Sequence, residues 1–119
     1  KKHGVGVYGV RVLAGGALSG SEQRHPHGTP TVSPIGSKTD YATDVQRALK
    51  FKPLVEAGHA ATLPELAIRY VISNPDLPTV EVGIATFEEF KKAYDAIEKG
   101  PLPQNVLDEI RTIQKGFAA

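Results

Sequence analysis

The sequence predicts an α/β fold in which parallel strands are joined by helices, and three observations carry that prediction. Residues 5–13 and 79–84 are short runs rich in β-branched residues, the composition of strands. Between and after them, apolar residues recur at spacings of three and four behind capping residues, the pattern of amphipathic helices. The order is strand, long loop, one or two helices, strand, helix, helix, and strands separated by helices imply right-handed parallel crossovers.

Residues 5–13 read VGVYGVRVL, so nearly continuously apolar that a strand covered on both faces, and therefore buried, is expected. A glycine-rich turn opens the next segment, and residues 14–41 form a long loop loaded with Ser, Pro, Gly, Thr and His. Loops of that length are usually functional or mobile. From Ala42 the apolar positions Val45, Ala48, Leu49, Leu54 and Val55 predict helix, interrupted or kinked at Pro53 and stopped at Gly58.

Thr62-Leu63-Pro64-Glu65 is a capping box with proline in the first turn, ahead of Leu66, Ala67, Tyr70 and Val71. That helix should end near Asn74-Pro75, because the residue before proline disfavours helical geometry. A strand over 79–84 follows, and Thr86-Phe87-Glu88-Glu89 is a second capping box. Phe87, Phe90, Ala93, Tyr94 and Ile97 carry the next helix to Gly100-Pro101, and Val106, Leu107, Ile110 and Ile113 carry the last one to Lys115-Gly116.

Two parallel strands make no independent sheet of useful size. The strand over 5–13 therefore needs neighbours that this sequence does not supply, and the chain either oligomerises or belongs to a larger barrel. Composition agrees with a folded domain: 119 residues, 40% apolar and 23% charged, outside the disordered range. The 14 basic against 13 acidic residues are scattered and leave a net charge of +1, which argues against nucleic acid or an anionic membrane as partner. No cysteine is present, so neither disulfides nor thiolate metal sites are available. With no apolar run near the roughly 20 residues that span a bilayer and no signal-peptide core, a soluble, cytoplasmic protein is expected. Methionine is absent, so Lys1 is not expected to be the start of translation, and a segment upstream is expected to be missing.

Along nearly its whole length the chain resembles the aldo-keto reductases, NAD(P)H-dependent enzymes on an eight-stranded (β/α)8 TIM barrel. GVYGVRVLAGGALSG over residues 6–20 is similar to the family's seventh strand and the pyrophosphate-binding turn after it. Leu66-Ala67-Ile68-Arg69-Tyr70-Val71 resembles the LALRWV stretch of the seventh helix, residues 79–93 the eighth strand and the start of the eighth helix, and Gly100-Pro101-Leu102 the loop before the final helix. The resemblance implies that residues 1–119 are the C-terminal portion of such a barrel, incomplete as it stands, and that it is nearest to sugar and pyridoxal dehydrogenase-like branches.

The resemblance also implies a cofactor, NAD or NADP in the complete protein, with a small carbonyl or sugar substrate and the remainder of the barrel or another subunit as partners. Phosphate sites of such barrels form after the last two strands, at the start of a helix. Leu13, Ala14, Gly15 and Gly16 lie at one such strand end, and Gly83, Ala85 and Thr86 at the other. Glycines let a backbone approach a phosphate, and free amides at a helix start attract negative charge.

Several positions depart from the family pattern. Arg11 stands where a serine usually contacts the pyrophosphate, and Val12 where a proline is usual. Glu89 stands in the place of an Arg or Gln, Lys92 of a Glu, and Ala93 of the Asn that meets the adenine. Glu89 would repel a 2′-phosphate, leaning the preference toward NAD, while Arg11 would pair with the pyrophosphate. The family's catalytic Asp, Tyr, Lys and His come from earlier strands that are not in this sequence. Tyr8, Tyr41, Tyr70 and Tyr94 read as packing residues, so no catalytic residue is assigned and the chain alone is not expected to turn over.

Other motifs are set aside. Gly4-Val5-Gly6-Val7-Tyr8-Gly9 matches G-x-G-x-x-G, but that fingerprint follows a strand and opens a helix, and here it does neither. His25 and His27 lack the further ligands that zinc requires, and Ser19 lacks the G-x-S-x-G spacing. The expected function is thus the cofactor-binding portion of an oxidoreductase acting on carbonyl or sugar hydroxyl groups. The alternatives are a degenerate or truncated barrel serving as an interaction module and, last, an independent α/β binding domain.

Overall fold

The structure, a computed structural model, describes residues 3–28, 33–34 and 36–117. Its elements are β1 (Tyr8–Gly9), a 3-10 turn (Ala14–Ser19), α1 (Tyr41–Leu49), α2 (Lys52–Glu56), α3 (Leu63–Ile72), β2 (Thr79–Val80), α4 (Phe87–Glu98) and α5 (Gln104–Lys115). The two strands pair in parallel, Tyr8 with Thr79 and Gly9 with Val80, and the Glu81 amide extends the ladder to the Gly9 carbonyl at 2.8 Å.

Helix boundaries follow local chemistry. Asp40 caps α1, its carboxylate accepting from the Thr43 amide at 2.7 Å, and that hydrogen bond holds the Asp40 carboxyl below its ordinary pKa. Pro53 does not kink one long helix. It sits in the first turn of a separate α2, where its missing N–H is no loss. Gly58, at φ 85°, follows as the stop.

Helix α3 is the pivot of the core. Leu66 and Ile68 lie two residues apart, about 200° around the helix, and each feeds a different apolar cluster. Leu66 packs with Phe51, Leu54, Ala60, Leu102, Val106 and Ile110. Ile68 packs with Val12, Ala93 and Ala96, flanked by Val71, Val80 and Val82. Small residues at 93 and 96 let α4 lie close on α3.

Three expectations need correction. Residues 5–13 are not a long buried strand: β1 spans two residues, and Val5, Val7, Tyr8 and Val10 are 69%, 49%, 62% and 56% exposed. Only Val12 is buried. Apolar residues become a buried strand only where neighbours and covering layers exist, and among the described residues β1 has one neighbour, β2. Arg11, at φ 58°, then turns the chain out of the ladder. The strand expected over 79–84 shortens to β2 for the same reason. The capping box at Thr62 forms only by half. Thr62 Oγ1 accepts from the Glu65 amide at 3.2 Å, but the Glu65 carboxylate reaches the Ala61 amide instead of that of Thr62.

Among the described residues no helix is long and apolar enough to cross a membrane.

Candidate functional site

Parallel pairing of β1 with β2 sends both strands out of the same end of the sheet. The turn after each therefore starts from one end of the molecule, and Val12 and Leu13 pack with Val80, Val82, Ala93 and Ala96.

The first turn is held by its own backbone. The Ala14 amide donates to the Arg11 carbonyl at 2.7 Å, and the Gly16 and Leu18 amides donate to the Leu13 carbonyl at 2.9 and 3.1 Å. Gly15 and Gly16 take φ of 67° and 104°, left-handed values that a side chain resists. A Cβ on Gly16 would stand 3.1 Å from both Arg24 Nη1 and Tyr41 Oη. The half-buried Arg24 donates to the Gly15 carbonyl and lies over the Tyr41 ring, 5.6 Å from its centroid. The side of Gly16 where a Cβ would stand is thus already filled by a guanidinium and a phenol hydroxyl. Sequence reasoning missed Arg24 and Tyr41: nothing in the spacing of a Ser- and Pro-rich loop indicates that it folds back on the turn. Arg11, by contrast, is exposed and donates to the Ser33 carbonyl at 2.9 Å.

The second turn is arranged differently. Gly83 is exposed with no atom close to where its Cβ would stand. The capping box at the start of α4 is complete: Thr86 Oγ1 accepts from the Glu89 amide at 3.1 Å. Glu89 Oε2 in return accepts from the Ala85 amide at 2.6 Å and the Thr86 amide at 3.3 Å. Lys92 is paired with Glu88 at 2.8 Å, which lowers the pKa of the Glu88 carboxyl and raises that of the Lys92 ammonium. Ala93 is buried against Val12 and Ile68 and serves packing.

Tested against a nicotinamide dinucleotide, the two turns differ. The first has the chemistry an anion needs, a guanidinium and a hydroxyl packed on a glycine backbone. The second does not fit a further phosphate, because a carboxylate of this chain already holds two of the amides.

A second polar cluster lies elsewhere, around an open cleft of about 530 Å3 lined in part by His59, Glu65, Arg69 and Lys99. Glu65 is 9% exposed and binds Lys99 at 2.9 Å and Arg69 at 3.3 Å. Arg69 also donates to the carbonyls of Gly100, His59 and Pro101 at 2.9, 3.1 and 3.4 Å. Burial pushes the Glu65 pKa up, but the hydrogen bonds from Lys99, the Ala61 amide and Arg69 outweigh it, and the net shift is downward. With every partner so engaged, this cluster ties the loops on either side of α3 to the helix.

The rings of His25 and His27 stand 5.0 Å apart, and among the described residues no group of three or more His, Asp or Glu is placed to hold a metal. Tyr8 and Tyr94 are exposed and Tyr70 packs on the core.

The family model described as Aldo/keto reductase family matches residues 1–115. No curated protein and no solved structure matches the chain.

Proposed function

Because the chain belongs to the aldo/keto reductase family, whose members are NAD(P)-dependent oxidoreductases on a TIM barrel, we propose that it is the cofactor-holding, C-terminal part of such an enzyme. In the complete protein, Leu13, Ala14, Gly15 and Gly16, with Arg24 beside them, would hold the pyrophosphate of NAD or NADP, and Arg11 would approach it from the exposed side. Gly83, Ala85, Thr86, Glu89 and Lys92 would lie along its adenosine end. The cofactor, when bound, supplies the hydride, and this chain's residues bind and orient it. The substrate class is a small carbonyl compound or sugar hydroxyl, acted on by residues outside this sequence.

One observation carries the reading: the left-handed glycine turn at 15 and 16 packs against Arg24 and Tyr41 at the end of the sheet from which the second turn also leaves. Titration of the intact protein with NADH and NADPH tests it, and absence of binding to both at millimolar concentration removes it.

A specific feature favours a second reading, an interaction module. Val5, Val7, Tyr8, Val10 and Ile84 are exposed beside a two-stranded sheet, and Phe87, Phe90, Tyr94 and Ile97 are exposed along α4. Apolar surface so grouped, at unpaired strand edges, needs a cover. The rest of a barrel, or another subunit, supplies one. This reading is compatible with the first if the cover is the remainder of the enzyme.

A further inference from the structure

We propose that Phe117, just past the end of α5, is a positioning residue for the glycine turn at 15 and 16 and acts on it through α1. The proposal rests on the cofactor reading above for what the turn holds, whereas the coupling itself does not depend on that reading.

The contacts begin where α5 stops. The Gly116 and Phe117 amides donate to the carbonyls of Ile113 and Gln114 at 3.1 and 3.0 Å, and this tight turn carries Phe117 back onto the core. Its ring meets Phe51 edge-on, with centroids 5.7 Å apart and planes at 86°. Two cations of α1 stand over the same ring, Arg47 Cζ at 5.7 Å and Lys50 Nζ at 5.4 Å from its centroid. Like charges three residues apart share one side of a helix and repel. The negative face of an aromatic ring offsets that repulsion and gathers both. An aliphatic side chain could fill the space beside Phe51 but could not hold the cations.

Arg47 carries the restraint to the start of the helix. It pairs with Asp44 at 3.7 Å and donates to Thr39 Oγ1 at 3.4 Å, while Thr39 donates to Asp44 at 2.8 Å. Thr39 and Asp44 flank the Asp40 cap and Tyr41, the first residue of α1. Tyr41 Oη in turn stands 3.1 Å from where a Cβ on Gly16 would be, and Arg24 lies over the Tyr41 ring. Packed and hydrogen-bonded contacts thus run without a gap from Phe117 to the glycine turn, the kind of network through which positions couple.

NMR spectra and calorimetric NADH titrations of the intact protein, Phe117→Leu and Phe117→Tyr provide the test. Leucine keeps apolar bulk beside Phe51 and removes the aromatic face, whereas tyrosine keeps the ring. Phe117→Leu should displace the amide resonances of Gly15, Gly16 and Tyr41 and weaken NADH about fivefold. Phe117→Tyr should do neither. Turn resonances that stay in place in Phe117→Leu, an equal change in Phe117→Tyr, or NADH affinity indifferent to Phe117→Leu overturns the inference and leaves the cofactor reading standing. Displaced turn resonances in a protein that binds neither NADH nor NADPH remove the cofactor reading and leave the coupling standing. If Phe117→Leu does not fold, Lys50→Gln, at an exposed side chain, reads the same path. It should move the same turn amides by a smaller amount, and their staying in place overturns the inference.

Discussion

The ammonium of Lys99, at the C-terminal end of α4, donates to the carboxylate of Glu65, in the first turn of α3, across thirty-four residues of sequence and 2.9 Å of space. The same carboxylate receives Arg69 one turn along its own helix, so one buried acidic group joins two helices and, through Arg69, the loop at Gly100 and Pro101.

Unequal costs follow for the two cations. The Lys99 side chain is half exposed and that of Arg69 only 13% exposed. Lys99→Ala should therefore destabilise the protein by about 1 kcal/mol or less. Arg69→Ala strips the donor from three carbonyls and a buried carboxylate, and should cost about 3 kcal/mol. Urea denaturation midpoints of the two variants measure the difference, and equal losses contradict the arrangement.

Acid should act through Glu65 in a definite direction. Its folded pKa lies below the ordinary glutamate value of 4.5, so the stability it contributes is complete above that value and is lost as pH falls through the folded pKa. Stability of the wild type should hold from neutrality to about pH 5 and then decline. In Glu65→Gln the neutral-pH stability should be lower and the acid decline shallower. Parallel pH profiles for the two proteins would show that Glu65 does not carry the effect.

Hydrogen exchange should show whether β1 gains a further neighbour. In residues 1–119 alone, the amides around Val5, Val7 and Val10, exposed and outside the two-residue ladder, should exchange rapidly. Within a longer chain or an assembly that completes the sheet, the same amides should be protected. Rapid exchange in both settings would mean that nothing pairs with this edge.

Local chemistry is the part of the fold most legible in the sequence. The caps at Thr62 and Thr86, the stop at Gly58 and the apolar faces of α3, α4 and α5 depend on neighbours within a turn or two, and they stand where the sequence predicts helices. The strand over 5–13 is misread because its apolar run reports the environment it is built for, and only two of its residues find a ladder here. Glu65 departs from its box because Lys99 competes for the carboxylate, a partner no local window contains. Of the candidate site, the left-handed glycine turn and the capping role of Glu89 are local geometry that the sequence makes legible, whereas Arg24 and Tyr41 come from a loop whose return to Gly15 and Gly16 is purely tertiary.

The most direct test of the central claim is a calorimetric titration of the intact protein with NADH, alongside Arg24→Gln. The account predicts saturable binding of one dinucleotide per chain, weakened about tenfold when the guanidinium beside Gly15 and Gly16 is removed. Absence of binding to NADH and to NADPH at millimolar concentration, or affinity indifferent to Arg24, would contradict it.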